Sequence, residues 1–288
     1  MSRRWSAALA VGRIGFLAAT CVGILPSAIA EEPANFKAER VEISYVAPTN
    51  PAHQQIYELM KKRHVLERFK LFLSPMRLPG TLLLKATGCD GEANAWYDES
   101  DHSVTICYEY LYEVQSNAPA TTTEAGVTPE DALIGPAMEV FLHEISHALF
   151  NLLQVPILGR EEDAADQVAD YMLLHLDRDV AREAIAGVAY TYRHEMLTQS
   201  PPGLKQFASE HGLSGQRLYN ALCMAYGADP ELFGDVVKKG YLPESRAEGC
   251  GDEYKQVDYA VKKLILPYVD EEVRQRVQPR KMRPGPQN

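Results

Sequence analysis

His143, Glu144, Ile145, Ser146 and His147 spell H-E-x-x-H inside an apolar, helix-forming run. On a helix, positions four apart lie about 40° apart around the axis, so both imidazoles leave one face at neighbouring levels. Two histidines placed in this way can share one zinc ion. Glu144 projects beside that position, where a carboxylate can take a proton from metal-activated water, so the chemistry implied is metal-assisted hydrolysis. The flanks support a buried helix: Met138, Val140, Phe141 and Leu142 precede the motif, and Ala148, Leu149, Leu152 and Leu153 follow it. The inner residues Ile145 and Ser146 are uncharged, whereas a charged pair there would fit a solvated helix carrying the pattern by coincidence.

A catalytic zinc site needs a third protein ligand and an open position for water. The helix is expected to end near Gln154, because Val155 precedes Pro156 and the pre-proline position disfavours helix. Gly159 then allows a tight turn, and a second helix begins at Arg160. Glu161, Glu162 and Asp163 crowd its first turn, where the helix dipole favours carboxylates whatever else they do. Glu162 and Asp166 are four apart and share a face that a short loop would return to the first helix. The expectation is Glu162 as third ligand, with Asp166 accepting the N–H of a ligand histidine and fixing its tautomer. Glu161 and Asp163 should point off that face.

H-E-I-S-H followed by E-D-A-A-D resembles the glutamate-type zincins, the thermolysin-like clan, in which H-E-x-x-H is followed by E-x-x-x-D. The resemblance implies that Glu162 binds zinc and that Asp166 orients the first histidine. A closer resemblance is to a bacterial metallopeptidase family defined as a domain of unknown function. It runs through Leu158 to Asp166 and is similar at Asn94, Ala95, Trp96 and Tyr97 and at Cys107, Tyr108 and Glu109, so it spans most of the chain. In the thermolysin-like clan the substrate lies as an added strand on a sheet edge. Asn94, Ala95 and Trp96 resemble the segment that holds it, by backbone pairing of low sequence preference. The alternative for Trp96 and Tyr97 is an aromatic hairpin packed on the core.

The positioning elements follow from periodicity. Val41, Ile43 and Tyr45 alternate within a strand expected over 36–46, and Ile56, Leu59, Met60, Leu66 and Phe69 mark one helix over Pro51–Phe72. Leu82–Lys85, Ala95–Tyr97 and Val104–Tyr110 read as strands, the last two joined by the polar turn at Asp98, Glu99, Ser100 and Asp101. Gln115–Gly126 reads as a loop that could serve as a lid or be a simple insertion, leading to Thr128 as an N-cap before Pro129. Helices are expected over Pro136–Leu153, Arg160–Leu176, Val180–Leu197, Ser214–Tyr226, Pro230–Lys239 and Glu253–Leu266.

The fold class expected is therefore α+β. The zincin resemblance implies a small mixed sheet in residues 31–128 and a helical half in 129–278, with the metal helix between them and the cleft between the halves. An electrophile for the oxyanion is sought in the helical half. Tyr190, Tyr192, His194 and Tyr219 are candidates that spacing cannot separate. His53, His64, His102, His175 and His211 read as core or surface histidines.

The first thirty residues read as a secretory signal. Arg3, Arg4 and Arg13 are the only charges before Glu31, an apolar run spans Ile14–Leu25, and Ala28, Ile29 and Ala30 form an A-x-A cleavage site. An uncleaved anchor is the alternative, although the run is short for a membrane span. Removing this segment leaves 26 basic residues against 39 acidic ones, a net charge of −13, which argues against nucleic-acid binding. Cys89, Cys107, Cys223 and Cys250 remain, with no C-x-x-C pair. Proximity in sequence favours Cys89 with Cys107 and Cys223 with Cys250 in an oxidising compartment, the periplasm or the exterior. The tail over 279–288 is basic and Pro-rich and is expected to be disordered.

The reading at this level is an exported zinc metallopeptidase acting on peptides or proteins, with no stable membrane insertion of the mature chain. Two alternatives share the ligands: a catalytically silent zinc-binding partner protein, and a peptidoglycan-directed hydrolase. A serine-hydrolase elbow, a P-loop and a dinucleotide fingerprint are all absent from the sequence.

Overall fold

The computed structural model describes residues 40–198 and 201–277. The expected signal segment Met1–Ala30 and the tail over 279–288 lie outside the described residues. The element order is β1 (Val41–Tyr45), α1 (Gln54–Lys62), α2 (Val65–Leu73), β2 (Leu82–Thr87), β3 (Ala95–Asp98), β4 (Ser103–Cys107) and α3 (Tyr108–Asn117). The helical half follows with α4 (Asp131–Leu152), α5 (Glu161–Leu174), α6 (Arg178–Thr198), α7 (Leu204–Phe207), α8 (Ser214–Ala228), α9 (Gly234–Lys238), α10 (Glu244–Ala247), α11 (Cys250–Leu264) and α12 (Glu271–Val277). The architecture is mixed α+β, with a four-stranded sheet leading into a mostly helical half.

The sheet order is β1-β2-β4-β3. β1 pairs parallel with β2, and β2 parallel with β4, so α1 and α2 form the crossover that a parallel pair needs. β3 returns antiparallel on β4, with Trp96 opposite Thr105, and among the described residues its outer edge is left unpaired. All five residues of β4 are buried, as a central strand covered on both faces requires, and Leu82, Leu84 and Ala86 of β2 are buried in alternation. Tyr108 ties strand ends together by donating from its hydroxyl to the carbonyls of Val46 (2.9 Å) and Ala86 (3.1 Å).

The helix expected over Pro51–Phe72 is two helices. His64 adopts a left-handed conformation, φ 52°, which an L-residue helix cannot continue. The second helix starts where the Leu66 N–H donates to the Tyr45 hydroxyl at 2.8 Å. The break rotates the apolar stripe, so that Ile56, Met60, Leu66 and Phe69 are buried while Leu59 is exposed. The strand expected to reach Tyr110 stops at Cys107, and α3 carries the chain to Asn117, shortening the expected loop.

α4 begins five residues before the expected start, at Asp131. The Thr128 hydroxyl accepts from the Asp131 N–H (3.0 Å) and the Thr128 N–H donates to the Asp131 carboxylate (2.8 Å), a reciprocal cap. Pro136 lies within the helix rather than at its start. Phe141, Leu142, Ile145, Ala148 and Leu149 are all buried, which makes α4 the central helix. Phe69 of α2 packs on Phe141 at 4.6 Å between rings, joining the sheet-bearing half to this helix. α4 and α6 cross at Gly135 and Gly187, where a Cβ on Gly187 would fall 1.9 Å from the Asp131 carbonyl oxygen.

Two disulfides join the expected partners. Cys89 bonds Cys107 with 5.5 Å between Cα atoms, and Cys223 bonds Cys250 with 5.0 Å. Among the described residues no helix is long and apolar enough to cross a membrane.

Candidate metal centre

Pro136, Glu139, Val140, His143, Glu144 and His147 recur on one face of α4 at helical spacing, and all of them line one cavity of about 450 Å3. The opposite face of the helix is held in the core, so the direction of this face is fixed by packing. The buried Ser146 hydroxyl within the motif donates to the Leu142 carbonyl at 2.7 Å, so it is satisfied within its own helix. Ala93 to Tyr97, including Asn94, Ala95 and Trp96, run along one side of the cavity, and Val188, Thr191, Tyr192 and Glu195 of α6 along the other.

Gln154 ends α4 in a left-handed conformation (φ 53°), Gly159 turns the chain (φ 105°), and α5 returns along α4. This hairpin brings the carboxylates of α5 to the histidines of α4. Glu162 Oε2 lies 3.0 Å from His143 Nε2 and 3.4 Å from His147 Nε2, and the two Nε2 atoms are 3.1 Å apart. Asp166 Oδ1 lies 2.8 Å from His143 Nδ1. Glu161, expected to point away, instead sets Oε1 2.8 Å from His147 Nδ1. At the first turn of α5 the backbone orientation is set by the Gly159 turn, which the motif spacing alone did not convey. Asp163 does face away and pairs with Arg160 at 2.7 Å.

Each imidazole thus meets a carboxylate at Nδ1, which favours the tautomer that donates there and leaves a lone pair on Nε2. Two nitrogen lone pairs and a carboxylate oxygen then converge, separated by 3.0–3.4 Å. Lone pairs at such distances repel one another unless a positive species stands between them. A tetrahedral zinc site with bonds of about 2.0–2.1 Å would set ligand atoms about 3.3 Å apart, so the donor set fits that ion in kind and in spacing. Burial works against a charged His143, but Asp166 and Glu162 outweigh it and raise its pKa to about 10, so the carboxylates around the ring attract a positive species there, a proton or a metal ion in its place. The contacts with His143, His147 and His211 hold Glu162 well below the usual carboxylate range. Glu144 is buried beside the pair and its pKa is pushed up by that burial, opposed by His143 and His147 and by the backbone N–H of Tyr97 on the edge strand.

Behind the histidines lies a polar layer that the sequence did not suggest. Arg217 of α8 donates to both oxygens of Asp166, from Nε (2.7 Å) and from Nη2 (2.6 Å), and Nη2 also reaches Glu139 Oε1 at 3.4 Å. Tyr192 donates to the same Glu139 oxygen at 2.8 Å, and the guanidinium stacks 4.6 Å above the Tyr192 ring. Glu139, His143 and Asp166 are themselves close enough to hold an ion, but the Arg217 guanidinium supplies the positive charge there. Burial raises the Glu139 and Asp170 carboxyls, while Asp166 is held down to about 2: burial opposes the charged form, and His143 and Arg217 prevail.

The expected electrophiles separate. Tyr192 lines the cavity but its hydroxyl is engaged by Glu139, Tyr190 donates to the Asn117 carbonyl at 3.1 Å, and His194 stacks on Tyr190. Tyr219 lines a separate cavity of about 300 Å3. His211, read in the sequence as a core or surface histidine, is at the site: its Nε2 lies 2.9 Å from Glu162 Oε2 and its ring stacks near His143 at 5.7 Å. It arrives on the loop before α8, and no local spacing linked it to the motif.

A helix-borne histidine pair facing a carboxylate, with a buried glutamate beside it in an open cavity, is the arrangement of a metallohydrolase centre. Residues 45–265 match the model of the family described as "Putative metallopeptidase", and the chain belongs to that family. No curated protein and no solved structure gave a significant match to the chain.

Proposed function

We propose that this chain is a zinc-dependent peptidase of the exported fraction, with His143, His147 and Glu162 as ligands and Glu144 as general base. The observation that carries the reading is the convergence of three lone-pair donors in a cavity, each 3.0–3.4 Å from the others, with Glu144 buried at their side. A zinc ion held there would polarise the scissile carbonyl and lower the pKa of a water molecule towards about 7.

The chain's own residues supply the remaining functions. Glu144 takes the proton from the attacking water and returns it to the leaving amine, a role that its raised pKa suits by making the returned proton easier to hold. Asp166 and Glu161 hold the two ligand imidazoles in the tautomer that presents Nε2. The free edge of β3 can pair with an extended substrate through backbone hydrogen bonds, with Asn94, Ala95 and Trp96 at the cavity. His211 lines the same cavity, and its Nε2 meets the Glu162 carboxylate at 2.9 Å, where it would help to orient that carboxylate towards the metal. Two disulfides support an oxidising compartment and so export. An open cavity around Glu144 favours turnover over a silent zinc scaffold.

Metal analysis tests the ligands. The purified chain should carry one zinc, and His143→Ala should carry none; equal zinc in both removes the site. Glu144→Gln should keep the metal and lose hydrolysis by about 10²-fold or more, so a retained rate would take Glu144 out of the role of base.

A further inference from the structure

The α6 wall of the cavity carries a carboxylate that the proposed chemistry does not use. Glu195 is half-buried and follows Val188 and Thr191 along the lining face of α6. It accepts a hydrogen bond from the Ser214 hydroxyl at 2.8 Å, and no lysine or arginine pairs with it among the described residues. Arg217, the arginine that also lines the cavity, is engaged by Asp166 and Glu139.

A half-buried carboxylate that meets one hydroxyl donor and no counter-charge keeps acceptor positions that an incoming cationic head can fill. The opposite wall adds to the field, because Glu99 follows β3 at the cavity edge, exposed and without an ion pair among the described residues. The lining is anionic as a whole, and a divalent ion at the histidines would reduce that excess without reversing it. Val140 of α4, half-buried, also lines the cavity and offers apolar surface on which an aliphatic stem can rest. Lysine and arginine combine such a stem with a cationic head, whereas an acidic side chain would meet repulsion from both walls.

We propose that Glu195 forms a subsite for a cationic side chain, so that the cavity selects peptides with lysine or arginine beside the scissile bond. The proposal rests on reading the cavity as a peptidase cleft. It predicts specificity by charge at one substrate position, with backbone pairing along β3 indifferent to sequence elsewhere.

The test uses the zinc-loaded full chain and quenched peptides that differ only in carrying Lys, Arg, Ala or Glu at each position flanking the cleaved bond. At one position Lys or Arg should raise kcat/KM about tenfold over Ala, and Glu should lower it. In Glu195→Gln the Lys-to-Ala ratio should fall to within about twofold, and Glu195→Lys should turn the preference towards Glu. A wild-type chain indifferent to charge at every position, or a ratio unmoved in Glu195→Gln, overturns the subsite. Failure to hydrolyse any of the peptides would instead overturn the peptidase reading, and binding then reads the subsite without turnover. On the Glu144→Gln chain, a fluorescent Lys-bearing peptide should bind about tenfold more tightly than its Glu-bearing twin. That difference should vanish when Glu195→Gln is added, and equal affinities on Glu144→Gln itself overturn the subsite.

Discussion

The two histidines of the motif are held by carboxylates of unequal setting. Asp166 sits behind His143, whose side chain is 3% exposed, and is itself clamped by Arg217, while Glu161 reaches His147 from a side chain that is 52% exposed. A buried, doubly anchored partner fixes a ring, whereas an exposed one competes with water. Asp166→Asn should therefore weaken zinc binding about 10- to 100-fold, and Glu161→Gln by less, both read by competition titration against a chelator. Equal losses would mean that the two carboxylates contribute alike. Arg217 is a different matter, because it neutralises Asp166 and Glu139 together in the interior. Arg217→Met should leave uncompensated buried charge and cost about 3–5 kcal/mol of stability in urea unfolding.

At the scale of elements, the site depends on how three helices meet. α5 returns along α4 because Gln154 and Gly159 take positive φ, and α6 lies close to α4 because two glycines face each other. A methyl group at Gly187 would collide with the Asp131 carbonyl at the first turn of α4 and come 3.2 Å from the Gly135 Cα. Both obstacles are backbone, so neither can swing aside. Gly187→Ala should destabilise the chain by about 1–3 kcal/mol and widen the trough between α4 and α6, changing KM for peptide more than the content of bound metal. A variant of unchanged melting temperature would show that the helices tolerate the shift. The proposed metal ligands on α4 and α5 are farther along the hairpin and should remain together.

For the whole molecule, each disulfide secures a different half. Cys89–Cys107 anchors the segment that enters β3, where the Glu109 carboxylate also accepts from the backbone N–H groups of Cys89 and Gly91. Cys223–Cys250 joins α8, which carries Arg217, to the start of α11. Loops of these lengths contribute about 3 kcal/mol each in the chain-entropy account. Replacing either pair by serine should lower the free energy of unfolding by a comparable amount, read from the shift of the denaturation midpoint. The two losses should differ in function: the first pair should chiefly affect peptide binding along β3, the second the metal site through Arg217. Indistinguishable effects on both readouts would remove that division of labour.

Local periodicity determined a good part of this protein by itself. The spacing of His143, Glu144 and His147 in an apolar run places them on one helix face whatever surrounds it, because helical geometry is set by backbone hydrogen bonds. The Val155–Pro156 step and Gly159 made the hairpin legible, and with it the approach of Glu162 and Asp166. Cysteine spacing gave the disulfides, and alternation gave the strands. Decisions that needed distant segments were closed to such reading. His211 reaches Glu162 by way of a loop, Arg217 enters from α8, and Glu161 turns inward by the orientation of one helix turn. The break at His64 and the helix at Tyr108 were likewise tertiary choices, made where burial of Leu66, Phe69 and Tyr108 outweighs the local pattern. A sequence can state which atoms could hold a metal, because those atoms lie a turn apart. Only the packed chain decides what stands behind them and which charge is left facing the cavity, because those neighbours are brought together by the fold.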